Sequence, residues 1–452
     1  MVQLTFYGGV GEIGGNKVLL EDEDTRVFLD FGRSFSWGEG YFYDYLQPRG
    51  VNGVGDYLEF NLLPRLRGLY AKQLLRNTPL RYAEPRFDAV FISHAHVDHV
   101  GLCHFLDERI PLYCGEATKV ILDALKESGG YNYGEHECRT FRTGDKLRVG
   151  TVTIEPIHVD HSIPAAYGFI IETSSGAIVY TGDLRLHGPM SRMTMELMEK
   201  AKDHEPVAMI CEGTRVNPND ARVDYSEADV KRLSNHVVAS TSRLVISSFY
   251  GRDIDRFNTF YHVAKGNDRK FVLSMKAAYF LSRLHGDPKL KVPDVARDEN
   301  VLVYKKRKRT GQYQESDYYA WERLFLEDAV SFDYIHKNQS KILLNLDLPA
   351  FTELIDIKPT PGGHFIHSMS EPFSEEDINA EVMHNWLEHF SLRFHQIHAS
   401  GHCPSGDLAT IVNTILPEKL YPIHTEEPRR FRKISDKSVQ VILPQPERIY
   451  RL

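Results

Sequence analysis

The stretch Ser93–Leu102, SHAHVDHVGL, sets His94, His96, Asp98 and His99 close together, directly after the apolar run Ala89-Val90-Phe91-Ile92. A turn that leaves a strand with these four side chains presents nitrogen and oxygen donors in different directions, an arrangement that suits two metal ions side by side. Zinc takes neutral imidazole and carboxylate at about 2.0–2.2 Å, and a donor set without thiolates points to a catalytic site with open positions, not a closed structural one. The competing reading is a histidine-rich surface turn. The order HxHxDH is rare without a metal to share, so the metal reading is the one carried forward.

One turn cannot fill two coordination shells, so further donors must come from strand ends elsewhere. His161 in VDHSIP follows an apolar strand ending at Val159; Asp183 in VYTGDLRLHG follows the run Ala177 to Tyr180; His424 in YPIHTEEP follows a third short strand. Strand ends are where sandwich and α/β scaffolds collect their chemistry. A lone histidine is ordinarily structural, but this shared placement argues for all three. His158 competes with His161 for the same role.

The chain around these residues has 452 positions, 42% of them hydrophobic and 26% charged, a folded composition long enough for two or three domains or one domain with a large insertion. No stretch approaches the roughly 20 apolar residues of a membrane span, and the start, MVQLTFYGGV, lacks a secretion-signal pattern, so a cytoplasmic location is expected. Five scattered cysteines with no CxxC pair argue against a disulfide framework and against thiolate zinc. The net charge of −8 gives no global pull toward nucleic acid. Two basic runs, Lys305 to Arg309 and Arg429 to Lys433, read either as solvated faces or as grips on a polyanion backbone.

Residues 1 to 32 read as antiparallel strands joined by the Gly-rich turn GVGEIGG, which links two strands instead of opening a helix and so reads as a tight turn at a sheet edge, not a phosphate cradle. Residues 33 to 85 read as an elaborated loop followed by a helix-like segment, LLPRLRGLYAKQLL. Beyond residue 86 strands and helices alternate, with a helix expected from about Val100 and strand pairs in KLRVGTVTIEPIHV and AYGFIIETSSGAIVYTGD. The expected organisation is a first portion 1–205, an inserted α/β domain 206–372 and a return 373–452.

The series LDFG, SHAHVDHVG, HSIP, YTGD and HTEE resembles the motifs of the metallo-β-lactamase fold, a four-layer αββα sandwich with a dinuclear metal site. The later pieces CEGTR, ISSFYGRDIDR, HASGHCPSGDL and YPIHTEE resemble its beta-CASP branch, with an inserted α/β domain, and within that branch the RNase J type of ribonuclease. The similarity spans nearly the whole chain and is weakest in residues 33 to 85 and 285 to 360.

Carried over to this sequence, the resemblance implies two Zn2+, with Mn2+ or Mg2+ as alternatives. His94, His96 and His161 would hold one ion, Asp98, His99 and His424 the other, and Asp183 would bridge them. Asp30, ending VFLD, would orient the histidines from behind; Glu212 in CEGTR is the acidic residue that opens the insertion; His398, Ser400 and His402 would meet the scissile phosphate. A histidine tuned by a carboxylate suits the leaving oxygen's need for a proton, so Glu212 is paired with His402 as the general acid. Asp98 and Asp183 complete the catalytic set. His364 and His367, in GGHFIHSMSEPF, are weighed equally as residues lining a substrate cleft and as ordinary strand-end residues.

The implied activity is hydrolysis of RNA phosphodiesters in RNA processing and decay, 5′-to-3′ exonucleolytic and with endonuclease action also open, on single-stranded RNA held by its phosphate backbone. His424 favours RNA, since beta-CASP members acting on DNA typically carry Val there. A DNA-acting beta-CASP nuclease, a small-molecule hydrolase of the same fold and a catalytically silent binding subunit are the alternatives. The long middle region argues against the second and the filled ligand set against the third. Two positions depart from the family pattern: Gly213 where Ser usually follows the acidic residue, and Thr425 where many RNase J sequences have Gly. The chain stops soon after the last motif, so an extra C-terminal domain is not expected, and a homodimer is an open option.

Overall fold

Strands that are buried at every position mark the centre of the fold, and those that alternate mark its flanks. Ala89–Ile92 and Ala208–Glu212 are buried throughout, as parallel strands covered on both faces are. In Val152–Val159, by contrast, Thr153, Glu155 and His158 are half-exposed between buried neighbours. The computed structural model describes residues 1–35, 40–42, 45–217, 222–287, 289–371 and 377–452. Pro372 and Phe373 of the GGHFIHSMSEPF stretch lie outside the described residues.

The chain divides into two compact units, one of Met1–Leu186, Met190–Asp220 and Gly401–Leu452, the other of His187–Pro189 and Ala221–Ser400. The first unit holds two seven-stranded sheets. One runs in the order Ile449–Arg451, Val2–Gly8, Lys17–Asp22, Thr25–Leu29, Ala89–Ile92, Leu112–Gly115, Cys138–Phe141. The other runs Gln440–Val441, Lys419–Ile423, Ala208–Glu212, Gly176–Tyr180, Ala166–Thr173, Val152–Val159, Leu147–Val149. Aromatic rings fill the space between the sheets: Phe91 meets Phe169 edge-on with centroids 6.0 Å apart, and Phe6 stacks on Tyr421 at 5.6 Å. Helix Glu116–Glu127 packs outside the first sheet. Helices Ser191–Asp203 and Ser405–Ile415 pack outside the second, burying Leu197, Met198, Leu408 and Ile411 in one core with Ile157 and Ile170. These layers are the expected αββα sandwich.

The second unit is an α/β layer with a six-stranded, all-parallel sheet in the order Val301–Tyr304, Lys270–Ser274, Ile342–Asn345, Val245–Ser248, His364–His367, Arg393–Gln396. Its core is Leu244, Ile246, Val272, Leu344 and Phe365 with the helix residues Met383 and Leu387. This unit begins and ends later than residues 206 and 372. Ala208–Glu212 pairs in parallel with both Gly176–Tyr180 and Lys419–Ile423 in the sandwich, while Arg393–Gln396 extends the second unit's sheet beside His364–His367.

Two expected helices are shorter. In LLPRLRGLYAKQLL only the 3-10 turn Lys72–Leu75 forms. Pro64 has no N–H to donate, and Gly68 sits at φ +76, where a Cβ would stand 2.5 Å from the Glu84 carbonyl oxygen. Where a helix is expected from about Val100, the chain forms the single turn Val97–Val100 and then the 3-10 turn Cys103–Phe105. Among the described residues, no helix is long and apolar enough to cross a membrane.

Candidate metal centre

Asp30, at the end of Thr25–Leu29, adopts φ +58, a left-handed conformation that aspartate tolerates better than bulkier residues. It is fully buried and its carboxylate accepts four hydrogen bonds: Oδ1 from Ser93 N–H (2.7 Å), Oδ2 from the hydroxyls of Ser93 (2.8 Å) and Tyr180 (2.6 Å) and from His99 Nδ1–H (2.7 Å). With Nδ1 so engaged, His99 turns Nε2 inward. His161 does the same, donating from Nδ1 to the Gly401 carbonyl at 2.6 Å. Fixing the outer nitrogen in this way sets the tautomer and aims the inner lone pair.

The inner atoms converge on one oxygen. Asp183 Oδ2 lies 3.1 Å from His99 Nε2, 3.6 Å from His424 Nε2, 3.7 Å from His94 Nε2 and 3.9 Å from His161 Nε2. His96 Nδ1 stands 3.0 Å from His94 Nε2 and 3.2 Å from His161 Nε2, and Asp98 Oδ2 is 2.9 Å from His424 Nε2. Two donor groups result, His94-His96-His161-Asp183 and Asp98-His99-Asp183-His424, each with its ligand atoms within 4.8 Å of one another. They share Asp183. His158, the competitor of His161, points away on its strand and stacks on Tyr167 at 5.1 Å.

The charge state of this cluster suits a cation. Burial raises the Asp98 and Asp183 carboxyls, but His99 and His424 outweigh it for both and hold them well below the usual carboxylate range. Burial pulls His424 and His99 down, yet Asp183 and its acidic neighbours reverse this, lifting His424 to about 9 and His99 well above its ordinary value. Burial dominates at His94, held well below its usual range, and at His161, pushed down to about 3. Asp98 Oδ1 and Asp183 Oδ1 are buried with no hydrogen-bond partner among the described residues. Buried acceptors left unmatched are costly, and imidazoles aimed at buried carboxylates, with His99 and His424 giving up a proton when an ion binds, are the donor set of a divalent metal ion. The residues fit a metal cofactor.

Glu212, His402 and His424 make a third close group. Glu212 ends the strand Ala208–Glu212; its carboxylate accepts from Leu184 N–H (3.3 Å) and Thr214 N–H (2.9 Å) and lies 3.2 Å from His402 Nδ1. Burial raises this carboxyl, but His402 more than compensates and lowers it below its ordinary value. His398 and Ser400 belong to the second unit and are held by that unit's own groups. His398 Nδ1 lies 3.0 Å from the Ser368 carbonyl oxygen and 3.1 Å from Arg256 Nη1, and the Ser400 carbonyl accepts from His187 Nε2–H at 2.9 Å. In the same unit His364 pairs with His395 (2.9 Å) and His367 donates to Gln396 Oε1 (2.9 Å).

Sequence reasoning missed several supports. The Gly-rich turn is not merely a sheet-edge turn: Asn16 N–H donates to the Asp98 carbonyl, Gly32 N–H to the Asn16 carbonyl, and His424 N–H to the Gly9 carbonyl at 2.7 Å. A Cβ on Gly32 would stand 1.6 Å from the Asp98 carbonyl oxygen, so glycine is required there. Buried Lys17 donates to the carbonyls of Gly15 (2.8 Å) and Gly32 (2.9 Å). Asp160 accepts from buried Arg185 Nε (2.7 Å) and Met190 N–H (2.7 Å), bracing the residues next to His161 and Asp183. An acid before the histidine and a base two after the aspartate were the available signal. The two departures from the family pattern touch: a Cβ on Gly213 would stand 2.5 Å from the Phe431 ring and 3.1 Å from Thr425 Cβ, so a larger residue at 425 is matched by a smaller one at 213. The basic run 305–309 is largely satisfied internally, with Lys308 paired to Glu322, Arg307 to Asp356, and Lys308 and Arg309 lying over the Tyr319 ring.

Residues 60–224 match the Beta-lactamase superfamily domain and residues 388–443 the Zn-dependent metallo-hydrolase RNA specificity domain. The chain is 25% identical over 447 residues to Ribonuclease J of Helicobacter pylori (strain J99 / ATCC 700824), covering 94% of this chain and 56% of that protein. It is 22% identical over 431 residues to Ribonuclease J of Mycoplasma genitalium (93% and 67% covered) and 23% over 439 residues to Ribonuclease J2 of Bacillus subtilis (94% and 69%). It spans only 34% of Ribonuclease J from Helicobacter pylori strain ATCC 700392 / 26695, so the leading relatives are substantially longer than what they share with it. A crystal structure of a protein of unknown function from Enterococcus faecalis V583 shares the fold over all of both chains, with a TM-score of 0.79 at 24% identity. The two domain matches and the Ribonuclease J relatives support a place for the chain in the metallo-β-lactamase superfamily and, within its beta-CASP branch, beside RNase J-like proteins.

Proposed function

We propose that this chain is a metal-dependent ribonuclease that hydrolyses RNA phosphodiester bonds, with 5′-to-3′ exonucleolytic action as its main mode and endonucleolytic cleavage as a second one, working in the cytoplasm. The observation that carries the reading is the single carboxylate oxygen of Asp183 placed between two histidine-rich donor groups. The residues assigned as ligands are His94, His96, His161 and Asp183 for one ion, and Asp98, His99, His424 and Asp183 for the other. Two divalent ions there, Zn2+ with Mn2+ or Mg2+ as substitutes, would polarise the scissile phosphate and lower the pKa of an attacking water.

The protein's own groups do the rest. Asp30 holds His99 from behind and keeps its inner nitrogen unprotonated when a cation is bound. Glu212 accepts the Nδ1 hydrogen of His402 and orients that ring, so that His402 can hand a proton to the departing sugar oxygen. His398 and Ser400 are assigned to the substrate phosphate on the family resemblance.

The test is a time course of the metal-loaded protein on one RNA labelled at its 3′ end and carrying a monophosphate, triphosphate or hydroxyl at the other, beside a matched DNA. Mononucleotide release from the monophosphate RNA, with DNA spared, is the expected result. Cleavage of DNA alone, or of neither nucleic acid, overturns the proposal.

A further inference from the structure

Thr214 lies two residues beyond Glu212, and its hydroxyl stands between two of the imidazoles described above. Oγ1 is 2.8 Å from His424 Nδ1 and 3.1 Å from His402 Nδ1, with the His424 carbonyl oxygen 3.5 Å away. A hydroxyl has one hydrogen and two lone pairs, so the hydrogens it permits on the two rings are coupled. His424 turns Nε2 toward Asp98 Oδ2 at 2.9 Å and Asp183 Oδ2 at 3.6 Å. For that nitrogen to offer its lone pair to a cation, the ring hydrogen must sit on Nδ1 and find an acceptor. Thr214 Oγ1 is that acceptor.

The second lone pair faces His402, whose Nδ1 also lies 3.2 Å from Glu212 Oε1. When both rings carry hydrogen on Nδ1, both lone pairs of Oγ1 are used and the hydroxyl hydrogen is left for the His424 carbonyl. The His424 backbone is itself held at φ +52, a conformation that needs support in a non-glycine residue. Its N–H is tied to the Gly9 carbonyl, and the Thr214 hydroxyl meets the Nδ1 side of its ring.

We propose that Thr214 is a positioning residue whose one oxygen accepts the Nδ1 hydrogen of His424 and, jointly with Glu212, that of His402, leaving the Nε2 lone pair of His424 for a metal ion and, in the doubly protonated ring of His402, the Nε2 hydrogen for the leaving group. The inference rests on the proposed ligand role of His424 and the acid role of His402. It adds a residue that touches neither metal nor substrate, and it explains why a hydroxyl follows Glu212 at this spacing.

The experiment compares wild type, Thr214→Val, which keeps the shape and removes the hydroxyl, and Thr214→Ser, which keeps the hydroxyl and removes the methyl. Zn2+ affinity of each is measured by competition with a chromophoric chelator, kcat and KM are measured on RNA at saturating Zn2+, and far-UV circular dichroism checks folding. Thr214→Val should bind Zn2+ about 10- to 100-fold more weakly, the range for removing an outer partner of a metal-bound histidine. At saturating Zn2+ it should lose kcat with little change in KM, and lose less on a nucleoside p-nitrophenyl phosphate, whose leaving group needs no proton. Thr214→Ser should restore both properties.

Thr214→Val matching wild type in Zn2+ affinity and turnover overturns the inference, as does Thr214→Ser being as poor as Thr214→Val. Wild type that binds Zn2+ without cleaving RNA, with Thr214→Val binding more weakly, supports the positioning role and overturns the ribonuclease reading alone. Wild type that takes up no Zn2+ overturns both.

Discussion

Replacing Asp30 by asparagine tests the support of the metal centre most directly. The side chain is nearly isosteric, and asparagine, like aspartate, is at home at φ +58, so the backbone need not move. The hydrogen bonds cannot all survive. With the amide oxygen at the Oδ2 position, the Ser93 hydroxyl, the Tyr180 hydroxyl and His99 Nδ1–H keep their acceptor, but the NH2 group faces the Ser93 N–H across 2.7 Å. With the amide reversed, NH2 faces Tyr180 and His99 instead. At least one buried donor loses its partner either way, at about 1–3 kcal/mol. Loss of the carboxylate behind His99 should weaken zinc binding by a further 10- to 100-fold, about 1.4–2.8 kcal/mol. The assays are urea denaturation of the metal-free protein and chelator competition for Zn2+ on the folded protein. Unchanged stability together with unchanged affinity would refute the claim that Asp30 organises the site.

Other substitutions probe the surroundings. Arg185→Met strands the buried Asp160 carboxylate and should cost about 3–5 kcal/mol in urea unfolding, whereas Arg185→Met with Asp160→Leu should recover much of it. Buried Lys17 is held down by burial to about 8 from its ordinary 10.5. Below pH 8 both states carry the proton; between about pH 8 and 10.5 the unfolded chain keeps a proton the folded one has released, so stability should rise with pH across that window by about 3 kcal/mol. Lys17→Met, followed by pH-dependent denaturation, should flatten that rise. Gly213→Ala should destabilise by about 1–3 kcal/mol through overpacking against Phe431, and Phe431→Leu should relieve part of that cost in a double-mutant cycle. Chelation should lower the unfolding temperature of metal-loaded protein, since a ligand at 100 times its Kd stabilises by about 2.7 kcal/mol.

The candidate donors were readable from the sequence, because histidine and aspartate are among the common ligands of zinc and strand ends announce themselves as apolar runs that stop. His94, His96, Asp98 and His99 share one turn, and His161, Asp183 and His424 each follow such a run. What local sequence left open was decided by packing. On sequence His161 is preferred, with His158 as its competitor; His158 stays on its strand and stacks on Tyr167, while His161, beyond the strand's end, reaches toward Asp183. The helix expected in residues 62–75 failed because a short apolar run carries no decisive period, and Pro64 and Gly68 broke it.

Sequence alone therefore determined the kind of chemistry: which side chains can bind a cation, and that they lie at strand ends of a sandwich. Tertiary structure decided how these candidates come together. His424 Nε2 meets Asp98 Oδ2 across 326 positions of chain, the Gly-rich turn seats Asp98 from behind, and one Thr214 hydroxyl joins two rings. The physical reason is that donor identity is a property of single residues. Tautomer, aim and charge state depend on partners that only folding brings within hydrogen-bond distance.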